Sequence, residues 1–261
     1  MSVTVAKQTF KGAKYTTVIA DMHYWIAAQI PELKLVESSG SKWVYKFGDT
    51  DYGVSFTSYR TSAYTYYLEI EFVRWITEDS TSKEGRYDIY TGSITENGTY
   101  LYTAGAIVVR TPHGVIIQGM TYTGIPLESF FYFGKASSAI KGEVTVHGIF
   151  SAASYVYTTA GSTSQELGGG SIFYFKIDSE TPVAWRHGVL TAIRPRGASY
   201  GAAGSIVASA VYGVTGAIWA EPIRIDAFYS LDGPVSPPYY TEVTAGGRKM
   251  QRVGKELLLE G

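Results

Sequence analysis

The chain has 261 residues, with 22 basic against 23 acidic side chains and a formal net charge of −1 at pH 7. Because it contains no cysteine, it cannot form a disulfide, use a thiolate nucleophile or bind a metal through cysteine. Its lysines and arginines are not clustered, which argues against a nucleic-acid partner, since that binding depends on concentrated positive charge.

The N-terminal residues 1–14 are predicted to form an arm that becomes ordered against a neighbouring subunit. Residues 1–7 lack a basic region followed by an apolar run, so we expect no secretory signal. No stretch of the chain approaches about 18 consecutive apolar residues, so we expect no membrane insertion. The absence of cysteine is compatible with folding in a reducing cytosol.

Residues 15–29 are predicted to form an amphipathic helix. Apolar side chains recur there at the spacing of a helical face, and Pro31 ends the pattern, since the residue before a proline disfavours helical geometry. We expect this face to pack on a sheet rather than to hold a ligand. Its residues are Val18, Met22, Trp25 and Ile26.

After the helix, the apolar pattern changes to the period of two that indicates strands with one buried face. Residues 48–51 predict a turn, and Asn97-Gly98 is the clearest hairpin signal, because a type I′ turn needs two positive φ angles. A second hairpin is predicted around residues 111–114. The alternating residues are Trp43, Tyr45 and Phe47, then Val54, Phe56 and Ser58, then Leu68, Ile70 and Phe72 with Glu69 and Glu71 between them.

The second half of the chain is also predicted to consist of short strands separated by turns and loops. A Gly/Ser-rich loop is predicted at 161–170, and the tail predicts a hairpin over 240–253 that ends in three leucines. The predicted strands lie at 144–147, 154–158, 172–177, 189–194, 206–212, 218–219 and 223–229.

These elements predict a mainly β protein with one N-terminal amphipathic helix, built as an antiparallel β-sandwich or as two β units. In the two-unit arrangement, the arm of residues 1–14 precedes a helix plus antiparallel β unit at 15–140. A second β unit with the C-terminal hairpin and tail then spans 141–261. One continuous domain remains the alternative.

The sequence contains no convincing catalytic or metal-binding pattern. Its histidines, which are His23, His113, His147 and His187, do not have the spacing of a local metal site. Residues 197–201 match the G-x-S-x-G pattern around Ser199, but no histidine follows it, as the hydrolase order requires. We therefore expect no enzymatic activity, no metal and no cofactor.

Two acidic patterns also favour structural interpretations. Asp49, Asp51 and Gly53 resemble part of a calcium loop, but Tyr59 occupies the place of the final glutamate, so we predict a hairpin turn. Glu69 and Glu71 are expected to lie on the solvent face of a strand. Because 23 acidic residues allow pairing elsewhere, a glycan hydrolase that uses two carboxylates stays open.

The 22 tyrosines and 29 glycines are the unusual feature of the composition. Tyrosine offers a large rigid surface with a polar tip, which suits contact surfaces that are partly wet. An equally acceptable explanation is that tyrosine and threonine favour strands.

Near the end of the chain, short predicted strands rich in Gly, Tyr and Thr occupy the stretches 185–196, 222–233 and 241–254. In this composition and strand length they resemble the virion proteins of tailed bacteriophages. The resemblance includes no signature motif, so no residue role can be carried over from it. It implies a tail, baseplate, neck or capsid-decoration component.

The function that we expect is therefore that of a virion structural protein, made in the host bacterial cytoplasm. Its partners would be copies of itself in a symmetric homo-oligomer and other virion proteins. The alternatives are a carbohydrate- or receptor-binding module of a phage fibre, or the glycan hydrolase. Residues expected at subunit interfaces are Leu257, Leu258, Leu259, Tyr239 and Tyr240. Candidates for sugar stacking are Trp43, Trp75 and Trp219, although a place in a core is the preferred interpretation of each.

Overall fold

The fold was analysed in a computed structural model. It describes residues 3–60, 66–77, 80–138, 142–150, 157–158, 161–162, 172–177, 186–192, 207–214, 223–232, 238–245, 247–253 and 257–260. Ser199, Trp219, the predicted strand at 218–219 and most of the predicted loop at 161–170 lie outside these residues.

The protein is mainly β, with a large antiparallel sheet and one helix near the N-terminus, which confirms the predicted fold class. The helix α1 spans Tyr15–Ala28. The strands of the first half are β1 Thr4–Gly12, β2 Leu33–Ser39, β3 Lys42–Phe47, β4 Tyr52–Arg60, β5 Tyr66–Thr77, β6 Ser80–Glu96, β7 Thr99–Arg110, β8 Gly114–Met120 and β9 Pro126–Ser138. Those of the second half are β10 Gly142–Phe150, β11 Tyr157–Thr158, β12 Gly161–Ser162, β13 Ile172–Ile177, β14 Arg186–Ala192, β15 Val207–Val214, β16 Ile223–Asp232, β17 Glu242–Ala245, β18 Arg248–Arg252 and β19 Leu257–Glu260.

Most strands pair with their neighbours in the chain. The run from β2 to β10 is a meander of antiparallel pairs, and it continues through β13, β14, β15 and β16. Three of the connections between the described strands are long-range. β1 pairs with β7, β16 meets β9 at one residue pair, and β19 joins β16 to the C-terminal hairpin of β17 and β18.

The helix lies on one face of the curved sheet, which we call the inner face. Its buried residues include Val18, Met22 and Ile26 from the predicted stripe, while Trp25 is half-buried and packs edge-on against Phe10. The helix ends one turn before Pro31, as predicted. Its buried stripe packs with alternate residues of β3 to β9, including Phe56, Leu68, Ile70, Phe72, Ile89, Val108 and Phe131.

A second buried layer lies on the opposite face, which we call the outer face. Ile107, Val109 and Ile116 alternate with the inner-face residues of β7 and β8, and they too are buried. Fully buried Gln118 donates to the carbonyl oxygen of Val253 at 2.9 Å, which places the C-terminal segment against this face. The sheet therefore buries side chains on both faces in this region.

The local turn predictions are confirmed. Asn97 and Gly98 have φ angles of 50° and 76°, the positive values that a type I′ hairpin requires. In the β7–β8 hairpin, Thr111 N–H donates to the Gly114 carbonyl at 2.8 Å. The C-terminal hairpin also forms, between β17 and β18.

The expectation that the N-terminal arm needs a neighbouring subunit is wrong for residues 4–12. All of β1 pairs with Tyr102–Arg110 of β7 in the same chain. The pairing supplies hydrogen-bond partners along one edge of β1, and the half-buried Phe10 packs on the inner core. A domain boundary near residue 140 stays a prediction, and β9 and β10 pair as a hairpin across that position.

Candidate functional site

The outer face of β4, β5 and β6 carries an ordered grid of polar and aromatic side chains. Antiparallel register places residues of the three strands in rows, so each row brings together side chains that are distant in sequence. The rows are Ser55–Glu71–Arg86, Thr57–Glu69–Asp88 and Tyr59–Tyr67–Tyr90.

Arg86 is the centre of the polar rows. Its guanidinium lies 3.0 Å from Glu69 Oε2, and its Nε lies 3.0 Å from both carboxylate oxygens of Asp88. It also donates to the hydroxyl of Tyr59 and lies 4.4 Å from the centre of that ring. Ser55 donates to Glu71 at 3.2 Å, at the far side of the cluster.

The prediction that Glu69 lies on a solvated face is wrong. Its side chain is only 15% exposed, because Arg86 from the adjacent strand and the neighbouring rows cover it. Burial raises the pKa of Asp88 above its ordinary value, although Arg86 acts in the opposite direction. The alternative of a glycan hydrolase, which specified no particular pair of carboxyls, stays a prediction.

The aromatic row forms a continuous ladder across the three strands. Tyr59 and Tyr67 are stacked with ring centres 5.2 Å apart, and Tyr67 meets Tyr90 edge-on at 5.7 Å. Tyr90 is exposed at the end of this ladder. We call these three residues the tyrosine ladder.

Beyond Tyr90, the outer face opens into a pocket of about 160 Å³ where β6, β7 and the turn after β8 meet. Lys11 lies opposite the pocket residue Thr103 in the β1–β7 register, interacts with Tyr122, and forms an ion pair of 2.7 Å with Glu96. The hydrogen bond to Glu96 raises the pKa of Lys11, with a further contribution from Tyr122. Residues that line the pocket include Tyr90, Gly92, Thr103, Met120, Tyr122 and Leu127.

A second polar centre, around His23, is completely enclosed by the inner core. Its ring stacks on Trp43 at 4.0 Å, and its Nε2 lies 2.7 Å from the Tyr45 hydroxyl. Burial lowers the pKa of His23 to about 4 and raises the pKa of Tyr45 to about 12. Trp43 is therefore a core residue, as the interpretation preferred from the sequence has it, and it is not available to stack on a sugar.

The C-terminal residues that were expected at interfaces contact the chain itself. The hydroxyl of Tyr240 donates to Gln118 Oε1, and burial raises the pKa of this tyrosine. The last strand, Leu257–Glu260, pairs with β16 and β18, and Leu259 is fully buried. An interface role for the five residues stays a prediction, but Leu259 is not accessible in this fold. Tyr239 packs under Arg252, whose guanidinium lies 4.4 Å from its ring centre.

The remaining sequence candidates occupy structural positions. Asp49, 2.9 Å from Lys34, lies in the turn between β3 and β4, as predicted, and this lysine lowers the pKa of its carboxyl. His113 lies in the β7–β8 turn, and Trp75 is half-buried with Lys46 Nζ 5.5 Å from its ring centre. His147 and His187 belong to β10 and β14.

The strand β2 forms an edge of the sheet. In the part of the chain that the structure describes, it pairs only with β3, and a bulge interrupts that pairing between Leu35 and Glu37. Leu35 and Val36 are 51% and 52% exposed. Such an edge presents unpaired backbone groups beside apolar side chains.

Searches with the whole chain give no match to a family model, to a curated protein or to a solved structure. The resemblance to phage virion proteins therefore stays a hypothesis. Among the residues described, no group of His, Asp and Glu side chains has the arrangement of a metal site. None of the described helical structure is long and apolar enough to cross a membrane.

Proposed function

We propose that the chain is a non-enzymatic structural protein that assembles with copies of itself through β2. The observation that carries this proposal is the exposed apolar pair Leu35 and Val36 on an edge strand. Natural proteins usually protect such edges, because an unpaired strand is a template for pairing with another chain. Among the described residues β1 also pairs with a single strand, and it carries Lys7 and Lys11, which fit that protective pattern.

The sequence of β2 is complementary to itself when two copies run antiparallel. The register that sets Leu35 of one copy opposite Val36 of the other also sets Lys34 opposite Glu37. Two-fold symmetry repeats each contact, so the dimer has an apolar centre between two pairs of opposite charge. This arrangement favours a second copy of the chain over an unrelated partner.

Pairing between two copies would require Lys34 and Glu37 to leave the ion pairs that they form within their own chain. Lys34 lies 2.9 Å from Asp49 and Glu37 lies 2.8 Å from Lys42, in ion pairs on the surface. Exposed pairs of this kind contribute little to stability, so exchanging them for contacts with a second copy costs little. The bulge at Val36 bends the strand and limits the paired segment to a few residues.

The assembly that we propose is a tailed-phage virion, with other virion proteins as further neighbours. Support for a place in a virion comes from the C-terminal part of the chain, whose short strands are rich in Gly, Tyr and Thr. The absence of cysteine adds to it, since virion proteins fold in a bacterial cytosol without disulfides. Its part in the particle would be the tail, baseplate, neck or capsid decoration.

A charge exchange on β2 tests the pairing. We expect sedimentation of the full chain over a range of concentrations to show dimers or larger assemblies. Lys34→Glu and Glu37→Lys should each weaken assembly, because each places like charges opposite one another, and the double variant should restore it. The double variant also loses both surface ion pairs within the chain, so its recovery cannot come from repaired folding.

The matched control is Thr9→Lys on the β1 edge, which should leave assembly unchanged, whereas Leu35→Lys should abolish it. Thermal unfolding of each variant separates a lost interface from a lost fold. A wild-type chain that stays monomeric at high concentration contradicts the proposal. So does a double charge variant that assembles no better than the two single variants.

A further inference from the structure

The pocket beside Tyr90 has the size of a site for one six-membered ring. Its volume is about 160 Å³. A cavity of about 150 Å³ engineered into another protein holds one benzene molecule. The pocket is open to solvent on the outer face, so a ring that belongs to a longer molecule could enter it from outside.

Two tyrosines and a glycine give the pocket its shape. Tyr90 and Tyr122 are 49% and 37% exposed, so their rings offer apolar surface to solvent at the pocket. Gly92 leaves space beside Tyr90, because a Cβ there would lie 3.4 Å from Thr103 Oγ1 and 3.7 Å from the Tyr90 ring, in ordinary contact with both. A larger side chain at position 92 would extend from that point into the pocket.

Polar groups next to the pocket residues provide both kinds of hydrogen-bonding partner. The Lys11 ammonium is a donor and the Glu96 carboxylate is an acceptor, and the two lie 2.7 Å apart with both side chains partly exposed. Thr121, in the pocket wall, adds a hydroxyl that already contacts Thr123 at 2.8 Å. Sugar hydroxyls both donate and accept, so this combination fits a saccharide better than a purely apolar ring.

We propose that this pocket binds one pyranose ring of a polysaccharide, with its C–H face on Tyr90 or Tyr122 and its hydroxyls toward Lys11 and Glu96. The tyrosine ladder continues from the pocket across β6, β5 and β4, with ring centres 5.7 and 5.2 Å apart. Successive sugar units of the same chain would lie along this ladder. The site is on the outer face of β6 and β7, so the inference does not depend on pairing through β2.

The full chain can be tested by saturation-transfer NMR with D-glucose, D-galactose, N-acetyl-D-glucosamine and L-rhamnose, and with dextran as a polymeric probe. Phenol serves as the comparison for an aromatic side chain of a protein partner. We expect at least one sugar to bind at millimolar concentration, and a polymer of the preferred sugar to bind more tightly than its monomer.

Two variants remove different parts of the pocket. Gly92→Val fills space in the pocket beside Tyr90, and Tyr122→Ala removes one wall, so each should weaken sugar binding about tenfold or more. The control is Tyr100→Ala, which removes an equally exposed tyrosine that lines no part of this pocket and should leave binding within about twofold. Thermal unfolding checks that each variant is folded, and Tyr122→Ala keeps the test decisive if Gly92→Val does not fold.

Three outcomes overturn the inference. The first is that no sugar or polymer binds the wild type. The second is that phenol binds the pocket and the sugars do not, which would indicate a protein side chain as the occupant. The third is sugar binding that both pocket variants retain, which would place the site elsewhere on the chain.

Discussion

The protonation of His23 should control the stability of the fold in mild acid. The imidazole is fully buried between Trp43 and the helix, and Tyr45 and Tyr24 are the titratable groups that lie next to it. Burial lowers the pKa of His23 to about 4 from an ordinary value of 6.5. The folded protein therefore resists protonation over a pH range in which the unfolded chain accepts it.

The sign of the effect follows from this difference. Below pH 6.5 the unfolded chain binds a proton at residue 23, whereas the folded chain does so only near pH 4. Stability from this group is thus complete above pH 6.5 and falls as the pH is lowered from 6.5 to about 4. The two pKa values correspond to a loss of about 3 kcal/mol in the free energy of unfolding.

Urea unfolding between about pH 4.5 and pH 8, followed by tryptophan fluorescence, measures this loss. His23→Gln removes the titration but can still hydrogen-bond to Tyr45, so its stability should depend much less on pH than that of the wild type. His113→Gln, in the β7–β8 turn, keeps His23 and should show the full loss. If the wild type and His23→Gln lose the same stability on acidification, the reasoning is refuted.

Two further substitutions test packing by urea unfolding. Gly53→Ala should cost about 3 kcal/mol, because a Cβ there would overlap the backbone carbonyl of Tyr45, whereas Gly92→Ala, whose Cβ meets nothing closer than 3.4 Å, should cost much less. Equal losses for the two glycines would contradict this explanation. Tyr240→Phe should lower the free energy of unfolding by about 1–2 kcal/mol, because it leaves the buried Gln118 Oε1 without its donor. An unchanged midpoint of urea unfolding would show that this hydrogen bond does not stabilise the C-terminal segment.

The local elements could be predicted from the sequence because their signals are local. The alternation of Leu68, Ile70 and Phe72 shows directly which face of β5 is buried, and Asn97-Gly98 fixes a turn by its own backbone preferences. His23 also had a signal that was missed. It lies four residues after Ile19 and three before Ile26, and this spacing places it on the buried stripe of the helix.

The long-range contacts could not be predicted in this way. The pairing of β1 with β7 joins segments that are separated by most of the first 110 residues, and the exposed polar residues of β1 give no pattern that identifies a partner. The pairing of Glu69 with Arg86 depends on the register between β5 and β6, which includes a bulge after Glu71. A one-residue shift in that register would turn Arg86 to the other face. The pocket likewise needs residues from separate elements.

The tyrosine excess had two explanations in the sequence, and the structure supports strand propensity and core packing for part of it, while the explanation by contact surfaces stays a prediction. Tyr45, Tyr66, Tyr87 and Tyr132 are buried, as strand propensity and core packing require. Tyr24, Tyr90, Tyr100 and Tyr122 are exposed, and packing alone does not account for them.

Exposure alone does not identify a binding tyrosine, because single exposed apolar residues are ordinary on protein surfaces. Tyr90 and Tyr122 differ from Tyr100 in lining a shared concavity, and Tyr90 also continues the ladder through Tyr67. A ligand can contact several surfaces at once only in such a concavity, where each contact adds to the same binding event. If composition rather than position determined binding, Tyr100→Ala would weaken sugar binding as much as Tyr122→Ala, and the comparison of these two variants separates the explanations.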